Sequence, residues 1–414
     1  MLKYSRVIGV IYILLFVNLI GQSKKTNIWD NENFAGLKFR SIGPAFMSGR
    51  ISDIVVHPDD ENTWYLAVGS GNVWKTVNAG VTWDPIFDDQ GSYSIGCIAV
   101  DPNNPYVVWV GTGENLGGRH FGYGDGIYRS EDGGDNWENM GLKNSEHISK
   151  IVVHPENSDI IWVASQGPLW SSGGERGVYK TTNGGKDWRL VLKDNKWTGA
   201  SELVLDPRNS DRIYAVMWQR HRTVAAYMGG GPGTGIYRSE DGGESWKNLT
   251  GELPEGMSWD DCGHTCVNEE GERIDMEDME PSEMILRKHA MSVAVNPQND
   301  QEIFLGTNVH GVYKSIDGGA SWEETLWRTV AIKTSKRDHA HAIDIVINPL
   351  DTQMVAVADW NSGVLLSRDG GYSWQRLNQG LDTGVVQVLT FSPNGQYLFA
   401  GTEGHGIFRL KLFD

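Results

Sequence analysis

Seven apolar runs, each closed by a proline, recur along the chain: "ISDIVVHP", "IGCIAVDP", "ISKIVVHP", "SELVLDP", "MSVAVNP", "IDIVINP" and "VLTFSP". A second run follows, as in "TWYLAVG", "YVVWVGT", "DRIYAVMW" and "EIFLGT". After it come a stretch of the "GVYKS" type, a tight turn, and a last stretch such as "WKNLT". Short apolar runs bounded by Gly, Pro and Asn read as strands. No long stretch carries a helical period. Each unit reads strand, turn, strand, loop, strand, tight turn, strand. Four antiparallel strands recurring about every fifty residues make the blade of a propeller, and seven runs predict seven blades.

The tight turn is nearly the same phrase each time. "KTVNAGVTW", "RSEDGGDNW", "KTTNGGKDW", "RSEDGGESW", "KSIDGGASW" and "SRDGGYSW" end at Trp83, Trp137, Trp188, Trp246, Trp322 and Trp374. Asn78, Asp132, Asn183, Asp241, Asp317 and Asp369 share one position. A short polar side chain there accepts backbone N–H bonds across the hairpin, and the neighbouring glycines supply positive φ. The Trp is expected to fold back between blades, where deleting a buried Trp costs about 3–5 kcal/mol. The phrase is thus expected to be frame and not site. The seventh unit, "VVQVLTFSPNGQYLFAGTEGHGIFRLKLF", has three strands and no phrase. "GLKFRSIG" (Gly36–Gly43) stands unpartnered before blade 1. It is expected to close blade 7 as the outer strand, which removes an exposed edge. The expected fold is all-β: a single seven-bladed β-propeller over residues 36–414, with an acidic insertion at 251–289.

These phrases resemble the Asp-box, or bacterial neuraminidase repeat, of sialidases, xyloglucanases, sortilin-type receptors and photosystem II assembly propellers. Beyond the boxes, "FRSIGPAFMSGRISDIVVHP", "DDQGSYSIGCIAVDPNNPYVVWVGTGEN" and "GGGPGTGIYRSEDGG" resemble bacterial exported proteins of the sortilin (vacuolar sorting receptor) propeller class. That resemblance covers about residues 37–254 and implies a propeller that binds ligands, in a group often labelled glycosyl hydrolases. The catalytic signatures of the wider group are not carried over. "FRSIGP" only loosely matches the sialidase arginine motif, and "GSGNVWKTVNAG" lacks the Asp that xyloglucanases carry in the first blade.

Composition agrees with strands and turns, with 51 Gly and 17 Trp. Lys3 and Arg6 followed by the apolar run Val7–Gly21 read as a secretory signal peptide over residues 1–21. Residues 22–35 read as a linker. The formal charge is -17, and losing Lys3 and Arg6 makes it more negative. Such a chain is repelled by nucleic acids and anionic membranes. The expected setting is secreted or periplasmic, with no membrane span after signal removal. The expected state is a monomer, and the expected partner is an extracellular glycan or peptide. Cys97 lies in an apolar run and reads as a buried thiol. Cys262 and Cys266, in "DDCGHTC", are a candidate disulfide or, with Asp260, Asp261 and His264, candidate metal ligands.

In a four-stranded blade the boxed turns all lie on one face, and the second-to-third loops and blade links lie on the other. The long insertions "GTGENLGGRHFGYGDG", "SQGPLWSSGGERG" and "MWQRHRTVAAYMGGGPGTG" fall on that other face. They offer Arg119, His120, Phe121, Tyr123, Trp170, Arg176, Trp218, Arg220, His221, Arg222 and Tyr227. Aromatics mixed with Arg suit sugar rings or an acidic polymer. A second group is rich in histidine: His289, His310, His339, His341 and His405, with Arg337, Asp338, Trp360 and Glu403 as nearby candidates. His310, His339, His341 and His405 are candidate ligands of a divalent metal. The five histidines and Tyr227 are candidate acid/base groups for a hydrolase or lyase. Between Glu252 and Leu286, 12 acidic residues face one Arg, which predicts a solvated loop. Binding of a polysaccharide or peptide is the first reading, a carbohydrate-active enzyme the alternative, and an envelope assembly factor the weaker one.

Overall fold

Strand pairing follows the repeat. Seven four-stranded antiparallel sheets stand around one axis. Their innermost strands are Ile51–Val56, Ile95–Val100, Ile148–His154, Thr198–Asp206, Ala290–Asn296, Ala342–Ile347 and Val386–Phe391. Each packs beside the next, and the first beside the last. The structure, a computed structural model, describes residues 39–43, 49–115, 121–224, 227–230, 233–249, 257–258, 266–268, 273–274, 290–307, 311–327, 330–331, 341–381 and 383–413. The expected signal peptide and linker lie outside these residues.

The ring closes as expected. Arg40–Gly43 pairs antiparallel with Ile407–Lys411 and completes blade 7 as its outer strand. Phe39 is buried, and its N–H donates to the Gln379 carbonyl of the preceding link at 2.7 Å.

The second strands are buried along their whole apolar stretch, as in Trp64–Val68 and Val108–Thr112, because neighbouring blades cover both faces. In six of the seven blades one aromatic of the second strand lies opposite a cation of the third. The pairs are Tyr65↔Lys75, Trp109↔Arg129, Trp162↔Lys180, Tyr214↔Arg238, Phe304↔Lys314 and Phe399↔Arg409. In blade 6 the pair is Ala356↔Leu366. The boxed hairpin of the next blade docks on this pair. Lys75 donates to Gly133 O at 2.8 Å, Arg238 to Gly318 O at 2.7 Å and Lys314 to Gly370 O at 2.7 Å. The Trp162 indole donates to Gly242 O at 3.0 Å. The box Trp reaches back the same way, from Trp137 to Ile86 O at 2.7 Å and from Trp188 to Met140 O at 2.8 Å.

Inside the hairpin, Asp132 accepts from Ser130 Oγ at 2.7 Å and from the Asn136 N–H at 2.8 Å. Ser130 Oγ in turn accepts the Gly134 N–H at 2.8 Å. Asp241, Asp317 and Asp369 repeat this pattern. Asn78 and Asn183 bond the same way without a charge.

Every inner strand carries a register irregularity in its first half, such as Ile51/Asp53, Ile148/Lys150, Ala200/Glu202 and Ala342/Asp344. A bulge re-aims the side chain that follows it. Asp53, Lys150, Glu202 and Asp344, from blades 1, 3, 4 and 6, thereby meet electrostatically along the axis. Lys150 lies 3.8 Å from Glu202. Asp53 also accepts the Ile98 N–H of blade 2, and Asp344 the Leu389 N–H of blade 7.

Candidate functional site

The second-to-third loops and the links between blades lie on the face opposite the boxed hairpins, which we call the upper face. Beside the axis on this face, blades 6, 7, 1 and 2 contribute to one polar cluster. Arg50 directly precedes the inner strand of blade 1, and Glu114 follows the second strand of blade 2. Glu403 follows the second strand of blade 7, and Trp360 that of blade 6.

The Arg50 guanidinium pairs with the buried carboxylate of Glu114 and lies 3.7 Å from Glu403. Its bond to Glu114 raises Arg50 above its usual range. Glu403 also accepts from the Trp360 indole at 3.1 Å and from Gln387 Nε2 at 3.2 Å. The His341 ring packs edge-on against Trp360, with centroids 5.8 Å apart. Asp359 lies behind it, wholly buried, and accepts the His341 N–H at 2.9 Å. Burial pushes the Asp359 carboxyl upward. Glu403 keeps 36% of its side chain exposed, against 1% for Glu114, so Glu403 is the carboxylate that a ligand can reach. His405 is exposed two residues further on.

The loops of blades 2 to 4 divide their residues differently from expectation. Tyr123 and Trp170 are exposed, as a binding role requires. Arg176 and Arg220 are buried in the loops, and Trp218 is buried at the end of the second strand of blade 4, Asn209–Gln219. Arg176 donates to the carbonyls of Gln166, Pro168, Ser171, Gly173 and Trp197, so it braces its own loop and does not present a fork to solvent. Burial pulls it down to about 10. The Arg220 cation lies over the rings of Phe121 and Trp218, at 5.3 Å and 5.0 Å. Buried His147 packs between the rings of Phe121 and Tyr123. Burial, with Arg220 beside it, pulls His147 down to about 3, so it stays neutral. Arg222 is half-buried, and the His221 ring lies 3.9 Å from that of Trp197.

Of the five singled-out histidines, the described residues include His341 and His405, and both flank the Glu403 cluster. His289, His310, His339, Arg119, His120, Cys262 and the side chains of Tyr227 and Cys266 lie outside the described residues. Among the described residues, no group of three or more His, Cys, Asp or Glu is arranged to hold a metal. The acidic insertion is not all loop: Met257–Ser258, Cys266–Asn268 and Arg273–Ile274 pair as a small antiparallel sheet.

Sequence reading passed over Arg50, Glu114 and Gln387. A positional signal existed: "VGTGEN" and "AGTEGH" place Glu114 and Glu403 just after equivalent second strands, and "GRISD" aligns Arg50 with His341 in "HAID". Only the ring shows that these blades are consecutive.

Comparison with known proteins adds a context. Residues 125–284 match the family described as sortilin, neurotensin receptor 3. Xyloglucanase Xgh74A of Acetivibrio thermocellus is 24% identical over 362 residues, covering 72% of this chain and 39% of that enzyme. The chain thus spans well under half the length of the curated relatives it matches. Among solved structures, a GH74 enzyme of Niastella koreensis superposes with a TM-score of 0.56 at 18% identity, covering 90% of this chain and 53% of that one. YCF48 bound to D1 peptide superposes with a TM-score of 0.55 at 15% identity, covering 91% and 100%. At these identities the structural likeness is one of fold. No helix among the described residues is long and apolar enough to cross a membrane.

Proposed function

We propose that this chain is an exported carbohydrate-active propeller, a glycoside hydrolase that takes a neutral β-linked glucan on its upper face. The observation that carries the reading is the meeting of two carboxylates, Glu114 and Glu403, at Arg50 beside the axis. Glycoside hydrolysis needs a pair of carboxyl groups flanking the scissile bond. Here Glu403 is the group open to a glycosidic oxygen. Glu114, 1% exposed, is out of a substrate's reach and fixes Arg50, which in turn positions Glu403. Trp360, half-buried and bonded to Glu403, offers an indole edge beside the substrate. The xyloglucanase relatives support this chemistry and this substrate class. The hairpin bonds support reading the boxes as Asp-boxes, a frame that leaves the opposite face free for function.

One observation favours a second reading, a sortilin-like receptor that binds a glycan or peptide without turnover. Arg50 engages both carboxylates, and a cation between them opposes the protonated form that a general acid needs. Incubating the protein with xyloglucan and mixed-linkage β-glucan, and measuring reducing ends, separates the two. The hydrolase reading expects release that falls by at least about 100-fold in Glu403→Gln. Binding without release selects the receptor, and neither binding nor release rejects both.

A further inference from the structure

We propose that a depression at the seam of blades 2 and 3 is an accessory subsite for one neutral pyranose of a glycan chain, separate from the Arg50 cluster. It rests on the glycan reading above. The depression has a volume of about 540 Å³, within the range of roughly 300–1,000 Å³ of small-ligand sites. Lys143, Asn144, Glu146, Ser171, Ser172 and Glu175 line it. They come from the link between the blades and from the blade 3 loop, both on the upper face.

The walls are held together from both sides. The Asn144 N–H donates to Glu175 Oε2 at 2.7 Å, and the Glu175 N–H donates to Asn144 O at 3.2 Å. Arg176 ties down the carbonyls of Ser171 and Gly173 behind the loop. Leu142 and Glu146 sit in the left-handed region, with φ of 53° and 55°, a strain that non-glycine residues rarely carry. The Gly124 N–H donates to Glu146 O at 2.8 Å, which joins the depression to the loop bearing exposed Tyr123.

The chemistry fits a sugar ring. Two carboxylates accept from ring hydroxyls, Lys143 donates, and two serines do either. Trp170, 42% exposed, follows the lining residue Pro168 by two positions at the edge of the depression, where the proposed subsite uses its ring against the C–H side of the sugar. Two acids against one lysine disfavour a uronate or a sulfated sugar. The half-buried Glu146 carboxyl is pushed up by burial, which suits a group that shares a proton with a hydroxyl.

The test is calorimetric titration of the full chain with a xyloglucan heptasaccharide and with cellohexaose. Two binding events are expected for the unaltered protein. Trp170→Ala and Glu175→Gln should weaken one of them at least tenfold, Trp170→Phe should restore it, and Glu403→Gln should leave it. Ser172→Tyr fills the depression from an exposed position and should abolish that event even if another variant melts early. Wild-type affinities in Trp170→Ala, Glu175→Gln and Ser172→Tyr, with the sole binding event lost in Trp360→Ala, would overturn the subsite and leave the glycan reading standing. No binding of either sugar by the unaltered protein overturns both.

Discussion

After the box acid or amide, Gly133, Gly184, Gly242, Gly318 and Gly370 carry φ between 68° and 72°, and Ala79 carries 57°. A Cβ in this region costs about 1–2 kcal/mol, part of which returns through a stiffer unfolded chain. Ala79→Gly should therefore stabilise the protein by about 0.5–1 kcal/mol, read as a higher urea midpoint. The box acids act with pH in a defined direction. Asn136 bonds hold Asp132, and Ser245 bonds hold Asp241, down at about 2 against an ordinary 3.8. A depressed carboxylate favours the folded state when ionised. Its contribution is present above pH 3.8 and lost as pH falls towards 2. Asp132→Asn with Asp241→Asn should flatten the acid limb of a melting-temperature profile and change little at neutral pH. Asn78 and Asn183 already make these bonds uncharged.

Blade junctions repeat a three-part contact of aromatic, cation and incoming box. Blade 6 lacks the aromatic and the cation together, and the blade it faces lacks the box. Ala356 and Leu366 are therefore what remains when nothing docks there. Lys314 shows the opposite case: it bonds Gly370 O and pairs with Glu302 at 3.0 Å. Lys314→Met should cost about 1.5–3 kcal/mol, the range for a bond to a charged group. Leu366→Lys should also destabilise, because the buried leucine faces no box carbonyl and an unpaired buried ammonium is costly. Urea unfolding of both variants checks this. A stabilised Leu366→Lys protein would refute the pairing of cation with box. In blade 6, Asn348 instead bonds Gly395 O of blade 7 at 2.8 Å.

The ring depends on one short strand and one half-buried charge group. Phe39 anchors the closing strand, and Phe39→Ala should cost about 3–5 kcal/mol, seen as a lower melting midpoint. Removal of residues 1–43 should expose the Ile407–Lys411 edge and cause self-association, visible by light scattering. Along the axis, burial pushes Glu202 up to about 7 from 4.5 and raises Asp53 and Asp344. The Glu202 carboxylate raises Lys150 in turn. A raised carboxyl binds its proton more readily folded than unfolded. Stability should then fall as pH rises from 4.5 to about 7. Glu202→Gln should remove most of that slope in a stability profile, and an unchanged slope would place the titration elsewhere.

Blade number, strand order, box position and the strand that closes the ring could all be read along the chain, because each follows from local period and turn chemistry. Which loops share a face could be read too, since hairpin connectivity alone decides it. Which loop residues reach solvent could not. Arg176 and Arg220 look like ligand-binding arginines in sequence and are buried braces in the fold, because burial depends on neighbours distant in sequence. Nor could the meeting of Arg50, Glu114 and Glu403. Residues 64 and 353 positions from Arg50 come together only when the ring closes and makes blade 7 the neighbour of blade 1.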